Sequence, residues 1–373
     1  MKKNLRNVLV LALGLVTTLS TVAQDWNVES RTRMDMSEVV GEDYKLTTQR
    51  VTLGATWGGS DWGIHVSSDF NYNLGDRTLL GVEPMWSIYE AYASADLLGM
   101  ASLTVGRQAI NNGSGALMST NDFGYDRTTW DGMTLGFDLD MADVTIGYAS
   151  RNDAVTNLVD TTGEDLNNMW MNLGGEFSGW NVNVLYMTNS MSDDAAYGFD
   201  LSGGVMGASV NASMNQDYAG NSMRVVGLGY AVTDDLSVNV GQTAYGDEGN
   251  FNMRGTNMDG SWGTTGNIGY LGASMEDLTF GLSYAMGGIS LNATMHRITH
   301  AGDDVAADAA NGVVAYKAED YDRQAMELGI GYSLGDNASL GLKYVTDEVK
   351  HTGSAATTDA QNKYTWITLT VTP

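Results

Sequence analysis

From Trp26 to Val371 apolar residues alternate with small or polar ones at a period of two, in segments of about ten residues. Phe280, Leu282 and Tyr284 alternate with Thr279, Gly281 and Ser283. Met133, Leu135, Phe137 and Leu139 alternate with Thr134, Gly136 and Asp138, and Met326, Leu328, Ile330 and Tyr332 with Glu327, Gly329 and Gly331. Ile64 and Val66 against His65 and Ser67 repeat the rhythm. Successive side chains of a strand point to opposite faces, so each segment predicts a strand with one apolar and one polar face. The connections alternate too. Short turns are expected at Gly58–Asp61, Asp140–Asp143, Thr233–Asp235, Glu276–Asp277, Gly287–Gly288 and Gly335–Asn337. Longer polar segments run over Asn73–Pro84, Ala109–Thr129, Arg151–Asn167, Asp247–Gly266, Ala301–Tyr321 and His351–Lys363. The count is about nine hairpins, hence about eighteen strands, with about sixteen as the near alternative and the pair between Tyr197 and Met214 least well marked.

Strands of this kind fit an all-β, transmembrane antiparallel β-barrel. No apolar run after residue 23 is long enough for a membrane-crossing helix. A sheet inside a bilayer satisfies all its backbone hydrogen bonds only by closing on itself. Short turns at one end and long loops at the other place the turns and both termini in the periplasm. At eighteen strands the lumen is too wide for wall side chains to fill, so it holds water unless loops enter it. A soluble sandwich would lack the systematic alternation of connections, and a β-solenoid would show a fixed short repeat.

The first residues change the picture at one point. Lys2, Lys3 and Arg6, an apolar run from Val8 to Leu19, and Thr21-Val22-Ala23 form the layout of a cleavable secretory signal. Cleavage is expected after Ala23, giving a signal peptide over 1–23 and a barrel over 24–373. Zero Cys excludes a disulfide framework although export would permit one. The net charge of −26 argues against nucleic-acid binding, which needs a basic surface.

Candidate chemistry is sparse. The 4 His are His65, His296, His300 and His351, and none sits in a close His/carboxylate ligand spacing of the zinc-protease kind. Without Cys there is no thiolate nucleophile or thiolate metal ligand, and no catalytic site, metal site or cofactor is indicated. His65 and His296 read as lumen-facing. Carboxylates cluster in expected loops: Glu38, Glu42 and Asp43; Asp160, Glu164 and Asp165; Asp193 and Asp194; Asp303, Asp304 and Asp308; Glu319, Asp320 and Asp322. They suit a solvated acidic surface bridged by divalent cations and would enrich cations at the mouth. No segment carries an EF-hand ladder.

Near the N-terminus, Trp26, Val28, Met34 and Met36 facing lipid would put Glu29, Arg31, Arg33 and Asp35 in the lumen. Val51, Leu53, Ala55 and Trp57 outward would put Arg50 beside them. Such arginines either oppose acidic groups on an infolded loop and set a field across a constriction, or pair with Glu29 and Asp35 and stiffen the wall. Arg107 shares parity with Leu103 and Val105, so it lies at the rim or a bulge resets its register.

Leu103-Thr104-Val105-Gly106-Arg107-Gln108, a glycine-rich loop, Asn121-Asp122-Phe123 and Arg127-Thr128-Thr129-Trp130-Asp131-Gly132 resemble the alginate-export-like outer-membrane porins over about thirty residues. The resemblance implies a monomeric outer-membrane channel whose loop after the G-R-Q strand helps define the constriction, with Arg107, Gln108, Asp122, Arg127 and Asp131 as its residues. Gly113-Ser114-Gly115-Ala116-Leu117 departs from the pattern in lacking an arginine. Ile367, Leu369 and Val371 resemble the terminal-strand signal of the barrel-assembly machinery, although the chain ends in Pro373 rather than an aromatic residue.

The expectation is a non-enzymatic porin-type channel in the outer membrane of a Gram-negative bacterium, passing small hydrophilic solutes or ions and leaning toward cations. Its partners would be outer-membrane lipid, lipopolysaccharide and the assembly machinery, with the choice between monomer and trimer open. The alternatives are a plugged structural or adhesive barrel acting through acidic loops, and an outer-membrane hydrolase using His65.

Overall fold

The computed structural model describes residues 23–75, 85–124, 127–151, 166–304, 317–351 and 360–373. Its strands are β1 (Ala23–Asp35), β2 (Glu38–Val39), β3 (Glu42–Asp43), β4 (Leu46–Gly58), β5 (Trp62–Leu74), β6 (Met85–Asp96), β7 (Ser102–Gln108), β8 (Trp130–Leu139), β9 (Ala142–Arg151) and β10 (Leu166–Phe177). They continue as β11 (Trp180–Asn189), β12 (Ala196–Val205), β13 (Ala208–Gln216), β14 (Ser222–Ala231), β15 (Leu236–Tyr245), β16 (Met275–Met286), β17 (Ile289–His300), β18 (Tyr321–Ser333), β19 (Ala338–His351) and β20 (Ala360–Val371). All belong to one 20-stranded sheet. β2 and β3 form a two-residue ribbon between β1 and β4. The other eighteen strands pair antiparallel around a closed wall, sealed where β1 meets β20 from Ser30↔Val371 to Asp35↔Trp366.

Parity along the strands follows the alternation in the sequence. Phe280, Leu282, Met326, Leu328 and Ile330 stand exposed on the outside. The intervening Asp277, His296, Ala325 and Val345 point inward and are buried. An apolar exterior of this extent would be a large liability in water and is the expected face toward hydrocarbon, so the barrel is a transmembrane one.

One end carries tight turns. Ser178-Gly179, Met206-Gly207 and Gly287-Gly288 each have two consecutive positive φ angles, the two-residue hairpin geometry whose twist matches that of the flanking strands. The pair between Tyr197 and Met214 forms the β12–β13 hairpin. Connections at the opposite end are mostly longer, though those at 190–195 and 217–221 are short. Much of the expected loops over Asn73–Pro84, Arg151–Asn167, Ala301–Tyr321 and His351–Lys363 lies outside the described residues, including Asp160, Glu164, Asp165 and Asp308.

One expected turn is corrected. Glu276 and Asp277 are within β16, paired with Thr299 and Ile298. The connection from β15 therefore runs over residues 246–274 without a further hairpin. Its apolar residues Phe251, Met253, Trp262 and Leu271 are buried in the lumen, which removes the solvent-exposed turn that the acidic pair suggests.

Candidate functional site

The lumen is narrowed by two loops that bend inward from the long-loop end, one over 109–129 and the other over 246–274. The first leaves β7 after Gln108. On one side of the barrel its Ser114 amide donates to Asp200 Oδ2 on β12 (3.1 Å), and Ser213 on β13 reaches the Ser114 hydroxyl (3.2 Å). On the other side it is held by arginines. Arg31 Nη1 donates to the Asp122 carbonyl (2.5 Å), and its Nη2 to the carbonyls of Phe123 and Gly124 (3.2 and 3.3 Å). Arg33 Nη1 donates to the Phe123 carbonyl (2.8 Å), with its guanidinium 3.6 Å from the Phe123 ring centroid. Arg50 binds the Asp122 carbonyl (3.0 Å), Asp122 Oδ1 (2.9 Å) and Glu29 Oε1 (2.9 Å).

Arg31 and Arg50 are direct cross-strand partners. Like charges so placed repel, and the loop's carbonyls with Asp122 and Glu29 offset that repulsion. The wall arginines thus form a socket for the loop. Of the two roles open in the sequence, Arg50 combines both, pairing with Glu29 and with the loop. Asp35 instead accepts from the amide and hydroxyl of Ser37 (3.0 and 2.5 Å).

Arg127, where the chain returns toward β8, is clamped by Asp69 on β5 (Nε to Oδ2 2.9 Å, Nη2 to Oδ1 2.5 Å) and by Thr52 (3.1 Å). Its guanidinium stacks 3.3 Å from the Tyr89 ring centroid. Tyr89 reaches that position because β5 and β6 slip register between Ser67 and Ser68, where Ser67 faces Glu90 and Ser68 faces Ile88. The extra residue is a β-bulge that aims Tyr89 inward.

The second loop carries a one-turn helix α1 (Trp262–Thr265). Trp262 is fully buried, its Nε1 donating to Asp347 Oδ2 (3.1 Å) and its ring meeting His296 edge-on. Lys343 Nζ binds the Gly266 carbonyl (2.6 Å), and Arg323 grips Asp347 through two nitrogens (2.8 and 2.7 Å). His296 bridges Asp277 (2.7 Å) and Glu327 (3.0 Å). The two loops also hold each other: Tyr270 hydroxyl donates to the Ala116 carbonyl (2.7 Å), Asn257 amide to Ser119 Oγ (2.9 Å), and Asn121 Nδ2 to the Thr264 carbonyl (3.2 Å).

The socket leaves a cavity of about 560 Å³ toward the long-loop end, lined by Arg31, Arg33, Asn71, Phe123, Tyr364 and Trp366 among others. A second cavity, about 830 Å³, lies across the first loop against β9–β15 and carries Asp143, Glu176 and Asp200 with Asn181, Asn183 and Asn211. Arg33 has no carboxylate partner among the described residues, and its Nε and that of Arg50 are unpaired.

Of the residues singled out in the sequence, Glu29, Arg31, Arg33, Arg50, Asp122 and Arg127 come together in the socket. Gln108 points inward, accepting from Thr134 Oγ1 (3.0 Å), but stands apart from it. Arg107 and Asp131 are corrected. They pair with each other through two contacts of 2.7 Å on the outer face, in step with the exposed Val105 and Met133. No bulge intervenes between Val105 and Arg107, so parity keeps Arg107 outward at the rim. Sequence reading missed the Trp262 anchor and the partners of His296. A long loop with Phe251, Met253, Trp262 and Leu271 but no period-two rhythm was the available signal. His65, the candidate hydrolase base, contacts Thr56 Oγ1 (2.8 Å) and Glu90 (3.6 Å) and stacks on Tyr92, with no serine among these contacts.

Enclosure in the loop would push the Asp122 carboxyl up, but the charges of Arg50, Arg31 and Arg127 outweigh it and hold it below 3.8. A depressed carboxyl stabilises the folded state above its unfolded value, and that contribution is lost as pH falls through the folded value. The loop should therefore stay docked from neutrality down to the ordinary carboxylate range and loosen only below it. Single-channel current recorded during acidification checks this; flickering that begins above that range would contradict it.

No family model matches the chain, and no curated protein matches it. Solved structures do. Pseudomonas aeruginosa OpdK with vanillate superposes with a TM-score of 0.70 at 10% identity, covering 95% of this chain and 99% of that one. Acinetobacter baumannii OccAB2 gives 0.69 at 13% identity, covering 94% and 98%. Pseudomonas aeruginosa OccK2 (OpdF) in complex with glucuronate gives 0.66 at 14% identity, covering 94% and 98%. The fold of this chain is that of these barrels. At such identities the likeness is one of fold, and these neighbours are Occ and Opd barrels rather than alginate-export-like porins.

Proposed function

We propose that the chain is a porin of the Gram-negative outer membrane, passing small hydrophilic solutes through the lumen between its two inward loops. The observation that carries this reading is a wide barrel narrowed by two inward loops, with sizeable cavities lined by charged and amide side chains as well as apolar ones on both sides of the narrowing. Cleavage after Ala23, delivery by the barrel-assembly machinery and loops facing outward belong to the same proposal.

The cation leaning expected from the −26 charge concerns the acidic mouths. At the narrow part the charged residues lining the cavity are Arg31, Arg33, Arg50 and Asp35, a surplus of positive charge, beside Phe123, Tyr364 and Trp366. We infer that selection there favours a small solute with a carboxylate on a flat or apolar body. Vanillate and glucuronate, held by two of the structural neighbours, are carboxylates of such size.

Refolded protein in planar bilayers under a salt gradient tests both statements. Steady conductance supports the porin reading, and silence from folded protein would instead favour a plugged adhesive barrel. Arg33→Gln should move the reversal potential toward cations. One charge about 4 Å from the ion path at water-like dielectric is worth about 1 kcal/mol, or roughly fivefold in relative permeability. An unchanged reversal potential would remove Arg33 from the selective part.

A further inference from the structure

The outer face of the wall between β14 and β18 carries charges that the pore does not use. Arg224 on β14 and Arg297 on β17 share parity with the exposed Val226 and Met295 and so point away from the lumen. Among the described residues neither guanidinium has an ion-pair or hydrogen-bond partner. The outward pair Arg107 and Asp131 elsewhere on the wall is closed on itself. Between the two free arginines lie Gln242 on β15 and Glu276 on β16, hydrogen-bonded to each other (3.2 Å).

Their height follows from the register. On β17 the outward residues Ile289, Leu291 and Met295 are exposed and apolar, and Arg297 comes next toward the long-loop end. The eight residue steps from Ile289 to Arg297 span about 27 Å along the strand, or about 20 Å across a bilayer at a tilt of about 40°, against an apolar band about 25 Å tall. With Ile289 at the inner edge of the band, Arg297 therefore stands within about 5 Å of its outer edge, a distance its long side chain can span to the head groups. Arg224 lies opposite Ala244, and Ala244 opposite Glu276, one pair nearer the loops. An outward arginine is costly at the midplane and nearly free at the interface. At the interface it meets lipid head groups.

We propose that β14–β18 is a docking surface for a phosphorylated glycolipid of the outer leaflet, of the lipopolysaccharide type, with Arg224 and Arg297 each taking one phosphate. Three strand steps of about 4.8 Å put the two strands about 14 Å apart, commensurate with a disaccharide phosphorylated at both ends. The chain's overall charge would repel such a lipid, so these cations mark where contact is favourable. Guanidinium suits phosphate because it can donate two parallel hydrogen bonds. Glu276 is tied to Gln242 and leaves both arginines available. The proposal rests on the outer-membrane reading above.

Native mass spectrometry of the full mature protein, refolded in detergent and titrated with purified bis-phosphorylated lipid A, tests it. Wild type should retain the lipid, and Arg224→Gln/Arg297→Gln should weaken retention about tenfold or more. Arg224→Lys/Arg297→Lys should retain most of it, and Arg107→Gln should bind like wild type. Equal retention by the double glutamine variant, equal loss in Arg107→Gln, or equal binding of enzymatically dephosphorylated lipid would overturn the proposal. Conductance in pure phosphatidylcholine bilayers, recorded on the same preparations, reports the porin reading separately.

Discussion

Trp262→Ala should widen the channel and cost about 3–5 kcal/mol of stability, the range for removing a buried tryptophan. Trp262 fills the space between the wall residues Ala325, Val345, Tyr364 and Trp366, with Phe123 and Ile268 beside it. Without it α1 keeps only Lys343 on the Gly266 carbonyl and the Asn121 bond from the first loop, so this part of the bend loosens while Tyr270 and Asn257 still tie the rest of it to the first loop. Asp347 would retain Arg323, so no charge is stranded. Trp262→Phe separates packing from hydrogen bonding, because it keeps most of the ring and loses only the Nε1 donor; about 1 kcal/mol is expected there. Denaturant unfolding gives the stabilities, and single-channel current the width. If the alanine variant unfolds earlier yet conducts as wild type does, the 246–274 loop is structural and the narrowing belongs to the first loop alone.

The wall was legible because one physical rule governs it. A residue facing hydrocarbon must be apolar whatever its neighbours, so period two survives in Met326, Leu328, Ile330 and Tyr332 as cleanly as in Phe280, Leu282 and Tyr284. The same parity places Glu29, Arg31 and Arg33 on one strand and Arg50 on the next, and the structure sets Arg31 directly against Arg50. It also carries Arg107 and Asp131 outward, where the local sequence resemblance pointed into the pore. Strand parity is a rule about geometry that a motif cannot override without a bulge, and the bulge in this part of the wall is at β5–β6.

The lumen was less legible, since nothing periodic constrains a loop that folds inward. Ala116, Leu117 and Met118 in the first loop are buried against Trp170, Leu185, Met187 and Met223 from the wall. These wall positions break the polar-inward expectation. Inward tryptophan and methionine on β10, β11 and β14 are thus the record of a loop packed on them, and their register is invisible until the strands are paired. Asp277, His296 and Glu327 lie far apart in the chain and meet only because β16, β17 and β18 are adjacent.

Removing the partner of a buried cation should have the other large effect. Asp69→Asn leaves the Arg127 guanidinium, whose side chain is 9% exposed, without its main counter-charge. Breaking such a pair from one side costs about 3–5 kcal/mol, whereas replacing both members by apolar side chains of similar size is often neutral. Asparagine keeps an Oδ1 to accept the Thr52 hydroxyl, which donates to Asp69 Oδ1 (2.7 Å), but the acceptor for Arg127 Nε at Oδ2 (2.9 Å) is replaced by a donor. Arg127 would fall back on Asp122 Oδ1, now 3.4 Å away, drawing that carboxylate from Arg50 and shifting the first loop in its socket. The expected result is a marked loss of stability together with unsteady current, while Asp69→Leu/Arg127→Met unfolds later than Asp69→Asn yet keeps an altered reversal potential. A double-mutant cycle on denaturant unfolding measures the coupling. Strict additivity of the two changes would show that the pair does not fasten the loop, and would leave Arg31, Arg33 and Arg50 as the socket by themselves.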